Sequence, residues 1–143
     1  MDFNSLKQHP LLGLLDDKVL QTVAAHSEVI RYRAKRLILK EGEAASWVFC
    51  LMHGAVRVYH LGAMDAEVLV KLFRAPAIFG EMEVLSERPY LESVQSLEPT
   101  EVLRIPAAVF SKVLQHQPRF TLRLVHDLSE RLCIATHHEK ALA

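Results

Sequence analysis

The chain has 143 residues, half of them apolar, and a mass of 16.2 kDa, enough for one hydrophobic core and too little for two full domains. Seventeen basic and seventeen acidic side chains cancel and the sequence pI is about 7.1, so no overall field draws the chain to nucleic acid or to an anionic membrane. Met1 to Leu6 lack the basic start and apolar run of a secretory signal, no stretch approaches a membrane span, and Cys50 and Cys133 lie far apart, which together predict a cytoplasmic protein with reduced thiols and no membrane partner.

From His9 to about His26 the apolar residues Leu11, Leu12, Leu14, Leu15, Val19, Leu20 and Val23 recur at helical spacing, with Leu15-Asp16-Asp17 offering an N-cap carboxylate. After Ser27 the pattern changes to short β-favouring runs at Val29-Ile30, Leu37 to Leu39, Trp47 to Met52 and Val56 to Leu61, with Gly42 and Gly54 at the turns. Val68 to Phe73 follows a hairpin signal at Gly62 to Asp65, and two later strands, Ser93 to Leu97 and Thr100 to Ile105, flank Glu98-Pro99. About eight strands result. Past Pro106 the period returns to helical, first through Val109, Phe110, Val113 and Leu114, then, beyond Pro118, through a longer helix. There Thr121, Val125, Leu128, Leu132, Ala135, Glu139 and Leu142 fall at alternating steps of four and three, the spacing of a coiled-coil seam, which predicts a homodimer through residues 118–142.

Between the sixth and seventh strands, Ile78 to Tyr90 reads as a strand, a glycine turn at Phe79-Gly80-Glu81, one short helix and a proline-marked return to strand. A helix start presents unpaired amides, and glycine lets a ligand approach that backbone closely. This turn in a helix, roll, helix order resembles the phosphate-binding cassette of the cyclic-nucleotide-binding family, specifically the effector domain of catabolite-activator and FNR-type regulators. Leu39-Lys40-Glu41-Gly42-Glu43 and Leu51 to Val58 look like that family's two early glycine turns, and Arg104-Ile105-Pro106 leading to Phe110 looks like its closing strand.

The resemblance implies a mainly β fold with flanking helices: a double-stranded β-helix, or jelly-roll-like β-roll, of about eight strands. One domain then fills 1–143, with N-terminal helices at 1–27, the roll at 28–106 holding the cassette at 78–91, and C-terminal lid and dimer helices at 107–143. It also implies a ligand site at Phe79, Gly80, Glu81, Met82, Glu83, Tyr90 and Leu91, walled by Val70 and Phe73 and by Ala135 and Thr136 from the lid helix. Cyclic AMP and cyclic GMP are the family's ligands; no cofactor is implied. The family places an arginine directly after the cassette proline to neutralise the phosphate, and this chain has Tyr90 after Pro89. A phenol does not replace a guanidinium in a charge-assisted bidentate contact, and Glu83 and Glu92 add negative charge near the same place. Arg88 is the candidate compensating cation.

The expected function is a regulatory domain that senses a small ligand through an altered phosphate site and signals through its C-terminal helix. Two alternatives remain: a ligand-free structural, protein-interaction or dimerisation domain, and the sensor half of a transcription regulator whose DNA-binding helix-turn-helix, which in the family begins about where this chain reaches Ala143, is absent from the chain. No direct nucleic-acid binding is expected of the chain itself, so output would pass through a homodimer or a partner protein. Ser86, Ser93 and Ser96 lack a nucleophile-elbow context and Glu81 with Glu83 belongs to the cassette, so no enzyme is expected. Among the eight histidines His137 and His138 are adjacent and point apart on a helix, and no metal ligand is assigned.

Overall fold

The structure, a computed structural model, describes residues 1–142, with the side chains of His138, Ala141 and Leu142 outside the description. Ala143 and the last position of the expected seam, Leu142, are therefore outside the described residues and side chains. Two N-terminal helices, α1 (Phe3–Lys7) and α2 (Asp17–His26), precede eight strands: β1 (Glu28–Tyr32), β2 (Leu37–Leu39), β3 (Trp47–His53), β4 (Ala55–Leu61), β5 (Glu67–Arg74), β6 (Ala77–Phe79), β7 (Ser93–Ser96) and β8 (Thr100–Pro106). The cassette helix α3 (Glu81–Ser86) separates β6 from β7, and α4 (Ala107–His116) and α5 (Pro118–Leu142) close the chain. Among the described residues no helix is long and apolar enough to cross a membrane.

The strands form two antiparallel four-stranded sheets, ordered β1-β8-β3-β6 and β2-β7-β4-β5. This is the jelly-roll-like β-roll with flanking helices that the sequence predicts. Alternation along β3 explains the layering. Phe49 and Leu51 point between the sheets, where they meet Val56, Val58, Phe79, Val94 and Val102. Val48 and Cys50 point the other way, onto Leu12, Leu20, Val23, Phe110, Phe120 and Leu124 of the helical layer. A strand buried on both faces needs an unbroken apolar run, and Val48 to Met52 is that run. Gly54 turns β3 into β4 at a φ of 95°, where a Cβ would lie 2.6 Å from the Pro99 carbonyl oxygen, so only glycine fits.

Two local expectations are corrected. His9 to Leu15 is not α-helix but a bend and a short 3-10 turn at Leu12–Leu14, while the helix before it, α1, is capped by the Asp2 carboxylate accepting from Ser5 N–H at 2.8 Å. Asp16 is the N-cap of α2, yet its side chain makes no cap bond. It is engaged across the helical layer by Gln117, whose Oε1 accepts from Asp16 N–H at 3.1 Å and whose Nε2 donates to Asp16 Oδ2 at 3.3 Å.

The long helix α5 divides the expected seam between two directions. Leu128 packs on the helical core and Ala135 faces the cassette cavity, whereas Val125 and Leu132 are 53% and 69% exposed. The roll claims the face holding Phe120, Leu124 and Leu128. The outward apolar line is instead Leu122, Val125 and Leu132, continued by exposed Ser129 and Thr136 at the same alternation of three and four.

Candidate functional site

Gly80 carries a φ of 84° and redirects the chain from β6 into α3. A Cβ there would come within 3.1 Å of the Trp47 carbonyl oxygen and 3.4 Å of both the Phe49 and Tyr90 rings, so the turn depends on glycine for its dihedral and for its room. Phe79, just before it, stacks on Phe49 with ring centroids 5.0 Å apart and fastens the cassette to β3. Glu81 and Glu83 then stand in the first turn of α3, and both are buried.

A cavity of about 370 Å³ opens above this turn. Its apolar walls include Val58, Val70, Phe73, Phe79 and Val94, and its polar lining is Glu81, Glu83, Glu92, Lys71 and Arg131. Gly80, Met82 and Ala135 also reach it. The sequence-derived residues Val70, Phe73, Phe79, Gly80, Glu81, Met82, Glu83 and Ala135 are thus brought together, with Glu92. A wider concavity of about 540 Å³ lies between α2 and α4, but no buried charged group converges on it and it is remote from the cassette.

Four expected site residues fall elsewhere. Tyr90 turns into the core between the sheets, where its hydroxyl donates to the Trp47 carbonyl and accepts from Trp47 N–H. It supports the floor under Gly80 and does not line the cavity. Leu91 is 50% exposed; what it supplies is its backbone N–H, donated to Glu83 Oε2 at 3.2 Å. Thr136 is exposed one step round the helix from Ala135, with its hydroxyl on the Leu132 carbonyl. Arg88 is exposed and does not line the cavity; it borders a separate surface concavity with Ala44, Val84 and Pro89.

The cation bonded to Glu81 is Arg131, a residue that the sequence reading does not place at the site. Its Nη1 lies 2.9 Å from Glu81 Oε1, with the Glu81 side chain only 2% exposed. Because Arg131 and Glu81 are fifty residues apart, only the packing of α5 on the roll reveals the pair. The available signal was its position one turn before Ala135, on the helix face that meets the roll. Lys71, on β5, is the second cation of the wall and sits 4.5 Å from the Phe73 ring centroid.

Burial dominates the titration of these groups. It pushes the Glu81 carboxyl above its ordinary value; its own backbone N–H and the Arg131 guanidinium oppose that, and Glu83 adds to it. Glu81 Oε2 has no hydrogen-bond partner among the described residues. The Glu92 carboxyl is also raised, by burial and then by Glu83, with His60 opposing. Lys71 is lowered by burial and by Arg131, with Glu81 opposing. Elsewhere on α5, His126, Asp127 and Glu130 bring donor atoms within 4.8 Å of one another at the surface, but Arg123 already donates to Asp127 at 3.1 Å, as in an exposed ion-pair network.

The family model described as the cyclic nucleotide-binding domain matches residues 29–117. The chain is 29% identical over 115 residues to the regulatory protein YeiL of Escherichia coli O157:H7, covering 80% of this chain and 52% of that protein; it spans about half that relative's length. In fold it is similar to the sensor domain of the transcriptional regulator DNR from Pseudomonas aeruginosa, with a TM-score of 0.81 and 24% identity over 94% of this chain and 90% of that one. It is also similar to the regulatory subunit of a cAMP-independent protein kinase A from Trypanosoma cruzi bound to guanosine, with a TM-score of 0.72 and 22% identity over 84% and 43% of the two chains.

Proposed function

Because the chain belongs to the cyclic nucleotide-binding domain family, we propose that it is a small-ligand sensor with an altered phosphate site whose C-terminal helix reports occupancy of the cassette cavity. The observation that carries this reading is the Arg131–Glu81 pair. It joins α5 to the first residue of the cassette helix at the wall of the cavity, so a ligand that engages Glu81 competes with Arg131 and shifts the packing of α5. A ligand moves such an equilibrium only by binding the two arrangements differently, and displacement of one buried hydrogen-bonded contact is a difference of that kind.

Three features support an altered phosphate site. The residue after Pro89 is a tyrosine committed to the core, Arg88 is exposed and does not line the cavity, and Arg131 is already held by Glu81. The guanosine in the trypanosomal kinase subunit, a ligand without phosphate, is in keeping with this. The open cavity also favours a sensor over a self-filled structural domain, since Tyr90 and Leu91 leave it unoccupied. The outward line Leu122, Val125 and Leu132 is proposed as the contact of a homodimer, through which movement of α5 would pass to a second copy and, in a longer regulator such as the curated relative, to the rest of the protein.

The test labels Cys133, which is exposed, with an environment-sensitive fluorophore; Cys50 is spared because it is fully buried and its thiol is pushed up to about 12 by burial. A panel of nucleosides, cyclic nucleotides, amino acids and sugars is then screened for thermal stabilisation and for fluorescence change. At a hundredfold excess over Kd a ligand stabilises by about 2.7 kcal/mol. The expected result is a compound that does both, with the fluorescence response lost in Arg131→Ala while stabilisation persists. A panel without any stabilising compound, or a response on α5 that survives Arg131→Ala, overturns the proposal.

A further inference from the structure

Three carboxylates and two cations meet in the cassette cavity, and they are not mixed evenly. Lys71 and Arg131 both lie against Phe73, 4.5 and 5.7 Å from its ring centroid, and Arg131 is bonded to Glu81 at 2.9 Å. Glu92 instead follows directly on Leu91, whose N–H is bonded to Glu83. One end of the cavity therefore carries the cations beside Phe73, and the other carries Glu83 and Glu92, with Glu81 between them. The acidic end is built rather than incidental. Glu83 is buried and held by Leu91 N–H at 3.2 Å, and Glu81, whose side chain is 2% exposed, has an Oε2 without a partner among the described residues. A buried oxygen left unpaired is an acceptor that a ligand's donor would complete.

We infer that Glu83 and Glu92 are specificity residues, which exclude a phosphate and select an uncharged, hydroxyl-bearing ligand of nucleoside size whose hydroxyl groups donate to the wall of Glu81, Glu83 and Glu92. This deepens the sensing reading and rests on it. A phosphodiester brings only acceptors and a full negative charge to a wall that already offers acceptors and negative charge, so it gains no hydrogen bonds there and is repelled. A sugar diol brings two donors and no charge. Lys71 and Arg131 share the cavity and Arg131 already pairs with Glu81, which lowers the attraction for an ammonium group and leaves hydroxyl donation as the matching chemistry. At the other end, Phe73, Phe79 and Val70 present flat and apolar surface to a planar ring, and Lys71 can donate to ring carbonyl or imine acceptors.

The experiment is calorimetric titration of the full chain with guanosine and adenosine and with the corresponding 3′,5′-cyclic monophosphates, repeated on the double variant Glu83→Gln, Glu92→Gln. Glutamine keeps an oxygen for Leu91 N–H and for a ligand hydroxyl but removes the charge, and an unchanged melting temperature identifies a folded variant. The expected result is a nucleoside that binds at least about ten-fold more tightly than its cyclic monophosphate, with that preference narrowed about ten-fold or more in the double variant. A cyclic nucleotide binding as tightly as the nucleoside overturns the ligand class and leaves sensing intact. A preference unchanged in the double variant overturns the roles of Glu83 and Glu92. No heat from any of the four compounds also overturns the ligand class, and sensing itself then falls only when the wider panel on the Cys133-labelled protein is silent too.

Discussion

Arg131→Ala isolates the contact on which the sensing reading depends, and its cost should change with pH in a defined direction. In the native chain Arg131 Nη1 supports Glu81 Oε1 at 2.9 Å while Glu81 Oε2 is already unpaired. Alanine leaves both carboxylate oxygens buried without a side-chain donor. Breaking a fully buried pair costs about 3–5 kcal/mol, but the Arg131 side chain is 32% exposed and water enters where it leaves. About 1–2 kcal/mol at neutral pH is the corresponding expectation, or roughly 3–8 °C in Tm for a domain of this size.

The sign follows from Glu81. Its folded carboxyl is raised above the ordinary 4.5 because burial outweighs the help it receives. A raised carboxyl binds its proton more tightly in the folded state, so its ionisation weakens the fold once pH climbs past the unfolded value. Arg131 is one of the groups holding that rise in check, and removing it raises the carboxyl further. The Tm difference between the native chain and Arg131→Ala should therefore be small near pH 4, where Glu81 is protonated in both, and should widen towards pH 8. Differential scanning fluorimetry across that range measures it, and in a Glu81→Gln background the effect of Arg131→Ala should largely vanish. A difference that is constant with pH, or that persists when the carboxylate has been replaced by the neutral amide of Glu81→Gln, would refute the reasoning.

Three further outcomes are expected. Tyr90→Phe removes the hydroxyl that both donates to and accepts from the Trp47 backbone and should cost about 1–3 kcal/mol in urea unfolding, while affinity for any ligand of the cavity stays within about two-fold; a large affinity loss would place Tyr90 in the site. His9 is buried and neutral, its Nε2–H donating to the Ala77 carbonyl and its Nδ1 accepting from Leu11 N–H. Burial lowers its folded value below 6.5 despite the Ala77 bond, so its contribution is present above pH 6.5 and is lost as pH falls through the lowered value; His9→Gln should flatten that part of the Tm profile, and an unchanged slope would count against it. Val125→Glu with Leu132→Glu should convert a dimer to monomers in sedimentation equilibrium with little change in far-UV circular dichroism, since both side chains are exposed in the single chain; a dimer that survives both charges would move the interface elsewhere.

How much of this was legible in the sequence depended on the range over which each feature is decided. The eight strands, the glycine at Gly80 and the buried double-sided strand through Val48 to Met52 follow from period-two alternation and from dihedrals that only glycine adopts easily, both of which are local properties of the chain. The cassette and most of its wall followed from the family resemblance built on those turns. Asp16 shows the limit in one direction: a good capping residue by type, it is taken by Gln117 from 101 positions away. Tyr90, Arg131 and the stripe on α5 show it in another. A residue's type says what its side chain is able to bond, but the direction in which it points is set by which distant surface excludes water from it. The docking of α5 on the roll thus draws Arg131 onto buried Glu81 and leaves Val125 and Leu132 outside, while the gap under Gly80 takes up the Tyr90 ring. Sequence alone determined a β-roll with a glycine turn between its sixth and seventh strands; which cation pairs with Glu81, and which face of the last helix is left exposed, were decided by tertiary packing, because both depend on segments that meet only after the chain has folded.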